Sequence, residues 1–582
     1  MTLLEDQRDF RAAFFSQMAV PVVANLTNLR EVLFGGRARA TAAVLFFGHP
    51  AEGASSDEVY VYSPLLLNQE GSHSPDRGAR VETWKLTVDQ SEVRVLSRAD
   101  AAGDALPWKT AMWGSHRDLR LLRTIARRFP SLESFSDGKH RPAQGLELRP
   151  GPGEGVDPLE EVVGKLELDV EALKGATHVH LLPTFALSPV APEQGFVRKG
   201  RSSPIQVCRP PHVIISAART FAVYSDTFIV VPPRQIGIPG EPRDEDLLRA
   251  LALYLGSSFV RYHQFMAASQ SEQRGRASLQ NLKDLPIPFD PKDSAALKPW
   301  VALHQRAVAL SDARWAAKNS FLAGPTNEEH AIIAKLDALA SEVDTLAYDA
   351  LKLRQSERWL IEDFIKVKRP ALLDGKVGDE AARAPDEADL RAYAGALRDT
   401  LDIWLDRGER YRHQVTVVTD RRAGAVQIGF LITDRPHAIV LADAKGAEAQ
   451  ALRSVRERIR AEHGQWLYFN RNLFQYMDER VFIHKPMQRF WWTRSRALAD
   501  ADRIIADMIA AGVRNDQAPG SCDAAATERG CLLRSVRPIR ACAHRGGVRS
   551  PGGGVSTGRA RREHLRGHRV PCPGVVDRAR PA

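Results

Sequence analysis

Cysteine is scarce in this chain, which has five cysteines in 582 residues. Only Cys208 lies in the first 517 residues, so we expect a reduced body without internal disulfides. The other four lie at spacings of 9, 11 and 30 residues, which match no paired zinc-ligand pattern, and we predict no metal site there. These four are Cys522, Cys531, Cys542 and Cys572.

Long apolar runs are also missing. No run approaches the ~18 apolar residues that cross a bilayer. The first residues, MTLLEDQRDFRAAFF, carry acids where a signal peptide carries positive charge. We therefore expect a cytoplasmic protein without membrane contact.

The positive charge is confined mainly to one end. Residues 518–582 contain 13 arginines, no lysine and 4 acidic residues, a formal charge of +9 out of +10 for the chain. This tail has almost no periodic apolar residues, so we predict that it is disordered. Two origins stay open: a basic arm, or a GC-rich gene read in a shifted frame.

Common catalytic signatures are absent as well. The sequence has no Walker loop, no H-E-x-x-H and no G-x-S-x-G. An apolar run before Asp443-Ala-Lys445 resembles the metal-binding strand of nucleases, with Asp434 or Asp420 as a second acid. A solvated strand end explains the same pattern. We predict no catalytic residue from these motifs.

The segments that are present predict a mixture of strands and helices. Strands are predicted at 20–26, 41–47 and 58–62, and an amphipathic helix at 108–129 with Leu119, Leu122 and Ile125 on one face. A turn-rich linker follows at 150–158, because glycine and proline oppose both helix and sheet.

The second half shows clearer periodicity. After strands at 212–217 and 220–231, a helix is predicted from Asp244 onward, with acidic residues at its positive end. Apolar positions spaced by three and four residues predict a helix at 331–351 packed along another helix. A hairpin is predicted at 413–433, and a closing helix contains Leu498, Ile504, Ile505 and Met508.

The most specific feature is SEQRGRASLQNLKDLPIPFDP, residues 271–291. It resembles the end of the target-recognition domain in N6-adenine DNA methyltransferases of the restriction-modification type and in related specificity subunits. In that family a helix of small and aromatic residues leads to Gly-Arg-x-Ser-Leu and then a Leu-Pro-Ile-Pro strand. The matching residues here are Gly275, Arg276, Ser278, Leu279, Leu282, Leu285, Pro286, Ile287 and Pro288, after the helix 251–264. We call Arg274–Pro288 the signature segment.

The resemblance extends over about residues 10–510. Residues 210–240 resemble the strand pair before that helix, and residues 19–47 with Tyr60–Pro64 resemble the last strands of the catalytic sheet. Residues 336–365 resemble the helical layer after recognition.

The resemblance implies an α/β fold: terminal strands of a Rossmann-like methyltransferase sheet, an α+β recognition domain, a helical layer and a small α+β C-terminal domain. We accordingly predict these domains: 1–149, a C-terminal remnant of the catalytic domain; 150–300, target recognition; 301–385, helical scaffold; 386–516, C-terminal α+β domain; 517–582, tail.

The family's catalytic motifs are missing from the sequence. An N6-adenine methyltransferase holds the flipped base with an Asn/Asp/Ser-Pro-Pro-Tyr/Phe motif. Here Pro210-Pro211 lies between Arg209 and His212, and Pro232-Pro233 between Val231 and Arg234. The glycine-rich loop for S-adenosylmethionine, the cofactor implied for the complete enzyme, is missing too.

We therefore expect that Met1 begins midway through a methyltransferase. The chain would recognise DNA for a separate catalytic half or subunit and would be inactive alone. A non-enzymatic specificity module of a restriction or defence complex is an alternative, and a metal-dependent nuclease is another.

Double-stranded DNA is the predicted partner. Recognition modules place Lys and Arg on phosphates and a few polar side chains on base edges. Gln280 and Asn281 could read an adenine edge. The predicted DNA-binding residues are Arg198, Lys199, Arg201, Arg274, Arg276, Gln280, Asn281 and Lys283.

A cluster of cations and aromatics, Arg489-Phe-Trp-Trp-Thr-Arg494, has the composition of a nucleic-acid surface. The alternative is that the two tryptophans pack a terminal helix against a sheet.

Overall fold

The computed structural model describes the chain in segments, all within the first of its two compact units, Met1–Val536. Its class is mixed α/β, with five small sheets among the described residues. The described residues are 8–29, 42–49, 57–64, 92–135, 140–198, 205–217, 220–267, 279–318, 327–374, 379–405, 411–419, 423–433, 435–443, 450, 472–477 and 480–511. The predicted tail at 517–582 lies outside them.

The N-terminal region contains a four-stranded sheet. A helix, α1 (Arg8–Gln17), precedes β1 (Ala19–Asn25), and the sheet continues with β2 (Ala43–Gly48), β3 (Glu58–Tyr62) and β4 (Val93–Ser97). The strand order is β2-β1-β3-β4; β1 and β3 are parallel and the other two pairs are antiparallel. The three strands predicted here are confirmed to within two residues at each end.

Four helices follow this sheet: α2 (Arg98–Ala102), α3 (Ala105–Trp113), α4 (His116–Arg128) and α5 (Leu132–Phe135). The single helix predicted at 108–129 is therefore wrong in one respect, since it breaks after Trp113. Ser115 and Asp118 form a capping box that starts α4, and a Cβ on Gly114 would lie 2.5 Å from Met266 Cε. Leu121, Leu122 and Ile125 form the buried face of α4.

Short strands dominate residues 140–240. They form three sheets with the orders β6-β10-β7, β13-β8-β9 and β12-β11-β14-β5. The strands are β5 (Ala143–Gln144), β6 (Leu148–Arg149), β7 (Val156–Pro158), β8 (Leu166–Leu168), β9 (Leu187–Pro189), β10 (Phe196–Arg198), β11 (His212–Ile215), β12 (Ala222–Ser225), β13 (Ile229–Val230) and β14 (Ile236–Pro239). Gly151 and Gly155 have positive φ in the predicted linker, as its turns require.

A helical region follows, as the periodicity predicts. Its helices are α6 (Glu245–Leu255), α7 (Ser258–Ala267), α8 (Leu279–Lys283), α9 (Ser294–Lys318), α10 (Asn327–Ala350), α11 (Gln355–Asp363), α12 (Arg369–Asp374) and α13 (Asp379–Ala382), with a π-helical turn at Phe364–Lys368. The buried side of α10 includes Ile332, Leu336, Leu339 and Val343, four of the positions predicted to face another helix.

The C-terminal region packs two helices on a five-stranded sheet. Its elements are α14 (Glu387–Leu405), β15 (Tyr411–Thr419), β16 (Ala423–Ile432), β17 (Val440–Asp443), β18 (Leu473–Met477), β19 (Arg480–Pro486) and α15 (Arg494–Ala510). The sheet order is β17-β15-β16-β19-β18, and the predicted hairpin is confirmed as β15 and β16. Trp491 and Trp492 are each 1% exposed in the core with α15, so they pack the terminal helix rather than face a nucleic acid.

The main hydrophobic cores join regions that are distant in sequence. The largest core contains Val23 and Val61 from the N-terminal sheet, Tyr254 from α6, Ile287 from the signature segment, and Leu360 from α11. A second core lies under the β15–β19 sheet and a third under the short strands of 140–240. None of the described helices has the length and apolar character needed to cross a membrane.

Candidate nucleic-acid interface

The signature segment follows a pair of consecutive helices. Residues 244–262, predicted as one helix, form α6 and α7, which are separated at Gly256 and Ser257. The main-chain N–H of Ser258 and its hydroxyl each donate a 2.6 Å hydrogen bond to the Asp344 carboxylate on α10. Because Asp344 is distant in sequence, this cap could not be predicted from local spacing.

The Leu285-Pro286-Ile287 part of the segment is fixed by main-chain hydrogen bonds. The Leu132 N–H donates to the Leu285 carbonyl at 2.8 Å, and the Ile287 N–H donates to the Pro130 carbonyl at 2.9 Å. An isolated antiparallel bridge joins Ser131 to Pro286 between them. The predicted Leu-Pro-Ile-Pro strand is therefore a short extended segment that pairs with residues 130–132.

Aromatic side chains hold the other side of this segment. Tyr254 on α6 donates its hydroxyl hydrogen to the Pro286 carbonyl at 2.6 Å. Its ring packs edge-on against Phe289 and Trp300. Leu285 and Ile287 are fully buried among these groups. The small and aromatic residues of the preceding helices thus form the socket in which the segment lies.

The helix α8 connects the undescribed residues 268–278 to this socket. Gln264 on α7 donates to the Asn281 carbonyl at 2.9 Å. Asn281 is only 6% exposed, so contact between its side chain and a base edge would need a rearrangement of α8. Lys283 pairs with Glu133 on α5 at 2.8 Å, and this ion pair partly neutralises its charge.

The remaining predicted contacts differ in how much of each residue the structure describes. Arg198 is exposed at the end of β10, on a strand that pairs with both β6 and β7. Gln280 belongs to α8, but its side chain is outside the described part of the structure. Four others also lie outside the described residues: Lys199, Arg201, Arg274 and Arg276.

Three histidines have a lowered pKa; His263 and His304 are buried, and His180 is partly exposed. Burial lowers the pKa of His180 and of His263 to about 4, and the pKa of His304 to about 3. His304, on α9, is 2% exposed beside the ring of Tyr224, and the positive charge of Arg249 also disfavours its protonation. These imidazoles are neutral structural groups at pH 7.

The exposed face of the N-terminal sheet is apolar. Phe46, Val22, Tyr60 and Val95 lie directly opposite one another across the four strands. Phe46, Tyr60 and Val95 are 55%, 42% and 51% exposed. A second row has the same order, with Val44, Ala24, Tyr62 and Val93. We call these two rows the open sheet face.

The opposite face of the same sheet is buried on β1, β3 and β4, whereas Phe47 on β2 is 57% exposed. Val23, Val59, Val61 and Leu96 point into the main core. Purely parallel sheets are usually covered on both faces, whereas sheets with antiparallel pairs, such as β1–β2 and β3–β4, commonly leave one face to solvent. Two rows of four residues cover roughly 250 Å² at strand spacings of ~4.8 Å, an area within the range of exposed apolar patches on monomeric proteins. Sequence periodicity located these strands, but it did not show which side the described residues leave exposed.

The nuclease alternative depends on side chains that are not described. Asp443 ends β17 as predicted, but its side chain, Asp420, Asp434 and Lys445 lie outside the described residues. Among the described residues, no group of three His, Cys, Asp or Glu side chains is placed to hold a metal ion.

No protein-family model matches this chain, and no curated protein matches it.

Proposed function

We propose that this chain recognises the DNA target for site-specific N6-adenine methylation in a restriction-modification or phage-defence system. It acts with a separate catalytic methyltransferase polypeptide. The observation that carries the proposal is the attachment of the signature segment to residues 130–132, directly beside the elements that follow the N-terminal sheet. A recognition element fixed in this way keeps bound DNA at a defined position relative to the sheet.

The local architecture supports the recognition role. The resemblance leads us to expect a strand pair, a helix of small and aromatic residues, and then the Leu-Pro-Ile-Pro segment. The described elements occur in that order as β11 and β12, then α6 and α7, then the segment bound by Tyr254. The undescribed residues 268–278 carry Arg274 and Arg276, the cations we assign to DNA phosphates.

The open sheet face supports the proposal that a separate catalytic polypeptide binds this chain. A Rossmann-like sheet is covered on both faces, whereas Phe46, Tyr60 and Val95 remain largely exposed here. The roughly 250 Å² of this face is smaller than the ~800 Å² that each partner usually buries in a stable complex. The face would therefore be the apolar centre of a larger interface that also includes the outer main-chain edge of β2.

We propose that S-adenosylmethionine is held by the catalytic partner and not by the glycine-rich loop 151–155 of this chain. A cofactor loop joins a strand to a helix and brings glycine backbone close to the ligand. The glycines of 151–155 instead precede the three-residue strand β7, and a Cβ on Gly151 or Gly155 would meet nothing within 4 Å. We assign cofactor binding and methyl transfer to the partner.

Deleting the gene in the source organism tests the recognition role. Genome-wide mapping of N6-methyladenine should lose the modification at one recognition sequence and retain it elsewhere. If every methylated sequence persists, the recognition proposal fails. The purified chain should transfer no labelled methyl group to duplex DNA, and transfer by the chain alone would rule out the need for a catalytic partner.

A cleavage assay on the same purified chain distinguishes the nuclease alternative from the recognition role. Cleavage of duplex DNA that requires a divalent metal and disappears in Lys445→Ala would favour a nuclease over a recognition subunit. Absence of cleavage together with loss of one methylated sequence would favour the proposal.

A further inference from the structure

The helix α4 has an exposed face of arginines without exposed acids. Its sequence is HRDLRLLRTIARR, and its one acid, Asp118, is buried. Asp118 accepts hydrogen bonds from Ser115 at 2.6 Å and from the Tyr262 hydroxyl at 2.7 Å. It therefore does not balance the charge on the exposed side.

Arg120, Arg123 and Arg127 follow one another at intervals of three and four residues, so they share one side of α4. Arg123 pairs with Asp100 at 2.9 Å, whereas Arg120 and Arg127 form no ion pair with any described residue. Like charges at this spacing repel one another. Because α4 itself has no acid on that face and Asp100 pairs with only one of the three arginines, the face has more positive charge than folding requires.

Other exposed arginines on the described helices are balanced. Arg306 on α9 pairs with Glu342, and Arg391 on α14 pairs with Glu387, each at 2.8 Å. The helix dipole favours Arg127 and Arg128, which lie in the last turn of α4, but its effect does not reach Arg120. Neither local ion pairing nor the dipole therefore accounts for the whole arginine face.

The arginine face leads toward the signature segment. Arg128 ends α4, and two residues later the Pro130 carbonyl accepts the Ile287 N–H. Arg128 also donates to the Leu351 carbonyl at 3.3 Å, which brings the exposed Lys352 next to the end of the helix. We define the α4 basic strip as Arg120, Arg127, Arg128 and Lys352.

We propose that the α4 basic strip binds the phosphate backbone of duplex DNA and extends the DNA path beyond the signature segment. Arg120 and Arg127 are about 10 Å apart along the helix axis at 1.5 Å per residue. That distance equals roughly three phosphate spacings along the axis of one DNA strand. The contact is independent of base sequence and rests on the proposed DNA-recognition function.

The test measures the salt dependence of binding to a fluorescent 30-base-pair duplex by the full chain. Each phosphate contact contributes about 0.9 to the slope of log K against log salt concentration. The double variant Arg120→Gln/Arg127→Gln should lower the magnitude of this slope by about 1.8. It should weaken binding equally for duplexes of different sequence. Arg120→Lys/Arg127→Lys should keep the wild-type slope, because the positive charges remain.

The matched control is Arg306→Gln/Arg391→Gln, which removes two exposed, ion-paired helical arginines. It should leave the slope unchanged. If the wild type binds the duplex and the Arg120/Arg127 variant has the same slope, the proposal that the basic strip binds DNA is wrong, while the proposed function stands. An equal decrease of the slope in the control variant also contradicts the role of the strip. If the wild type binds no duplex even at low salt, the proposed function itself fails.

Discussion

Tyr254 and Pro286 are joined by a buried 2.6 Å hydrogen bond from the phenolic hydroxyl to the main-chain carbonyl. The bond connects the helix before the signature segment to the residues that pair with 130–132. The position of the segment therefore depends on one side-chain donor as well as on main-chain pairing.

Tyr254→Phe should loosen this connection. A buried carbonyl that loses its partner costs about 1–3 kcal/mol, which corresponds to exchange on the order of tenfold faster or more for locally opening amides. Hydrogen exchange should accelerate at the Leu132 and Ile287 amides. Tyr60→Phe, at an exposed tyrosine that bonds Glu58, is the control and should change neither amide. Unchanged exchange in Tyr254→Phe would contradict this role.

The buried His304 predicts a loss of stability in acid. Burial lowers its folded pKa from 6.5 to about 3, so between these values the unfolded chain binds a proton that the folded chain does not. Stability therefore falls as the pH falls below 6.5. At pH 5 this histidine should lower the free energy of unfolding by about 2 kcal/mol relative to pH 7.

His304→Phe should make the urea midpoint less dependent on pH between 7 and 5. The control, His330→Ala, changes an exposed histidine on α10 and should keep the wild-type dependence. If the wild type and His304→Phe lose stability in parallel over this range, His304 is not responsible for the acid sensitivity.

Arg274→Ala/Arg276→Ala should weaken duplex binding and reduce the salt slope by about 1.8, since each phosphate contact contributes ~0.9. Fluorescence anisotropy across a salt series measures both quantities. Arg149→Ala/Arg209→Ala removes two ion-paired arginines of the same region and serves as the control. A wild-type slope in the Arg274/Arg276 variant would remove these residues from the interface.

Phe46→Thr/Val95→Thr should reduce self-association of the purified chain without lowering its thermal stability. Both residues are exposed, and substitutions at such sites usually change stability by no more than about 0.5 kcal/mol. Sedimentation velocity measures the association. Ile403→Thr, at a residue of α14 that is 75% exposed, is the control. If Phe46→Thr/Val95→Thr leaves self-association unchanged, the open sheet face does not mediate contacts between copies of the chain.

Local patterns predicted the elements whose partners are nearby in sequence. The β15–β16 hairpin has a short turn and alternating residues, and α10 repeats apolar residues on one side, so both could be identified. The class, mixed α/β, followed from these elements. The finer Rossmann-like arrangement and the DNA contacts stay predictions.

Features that depend on distant partners were not predicted. The break between α6 and α7 depends on Asp344, and the burial of Asn281 depends on the helices packed around α8. The order β17-β15-β16-β19-β18 brings β17 beside β15 and leaves β16 beside β19, a choice that strand periodicity does not specify. The open sheet face was missed for the same reason, because alternation alone does not reveal which side of a strand is covered.

Residues 130–132 can pair with residues 285–287 only after the ribosome has synthesised the later segment. At about 5–20 residues per second, a ribosome needs roughly 8–30 s to synthesise the intervening stretch. During that interval the nascent N-terminal strands lack the residues that complete their core. We expect this earliest part of the polypeptide to reach its final packing late, and a transcript cut short before residue 285 to yield a product that chaperones and proteases recognise as unfinished.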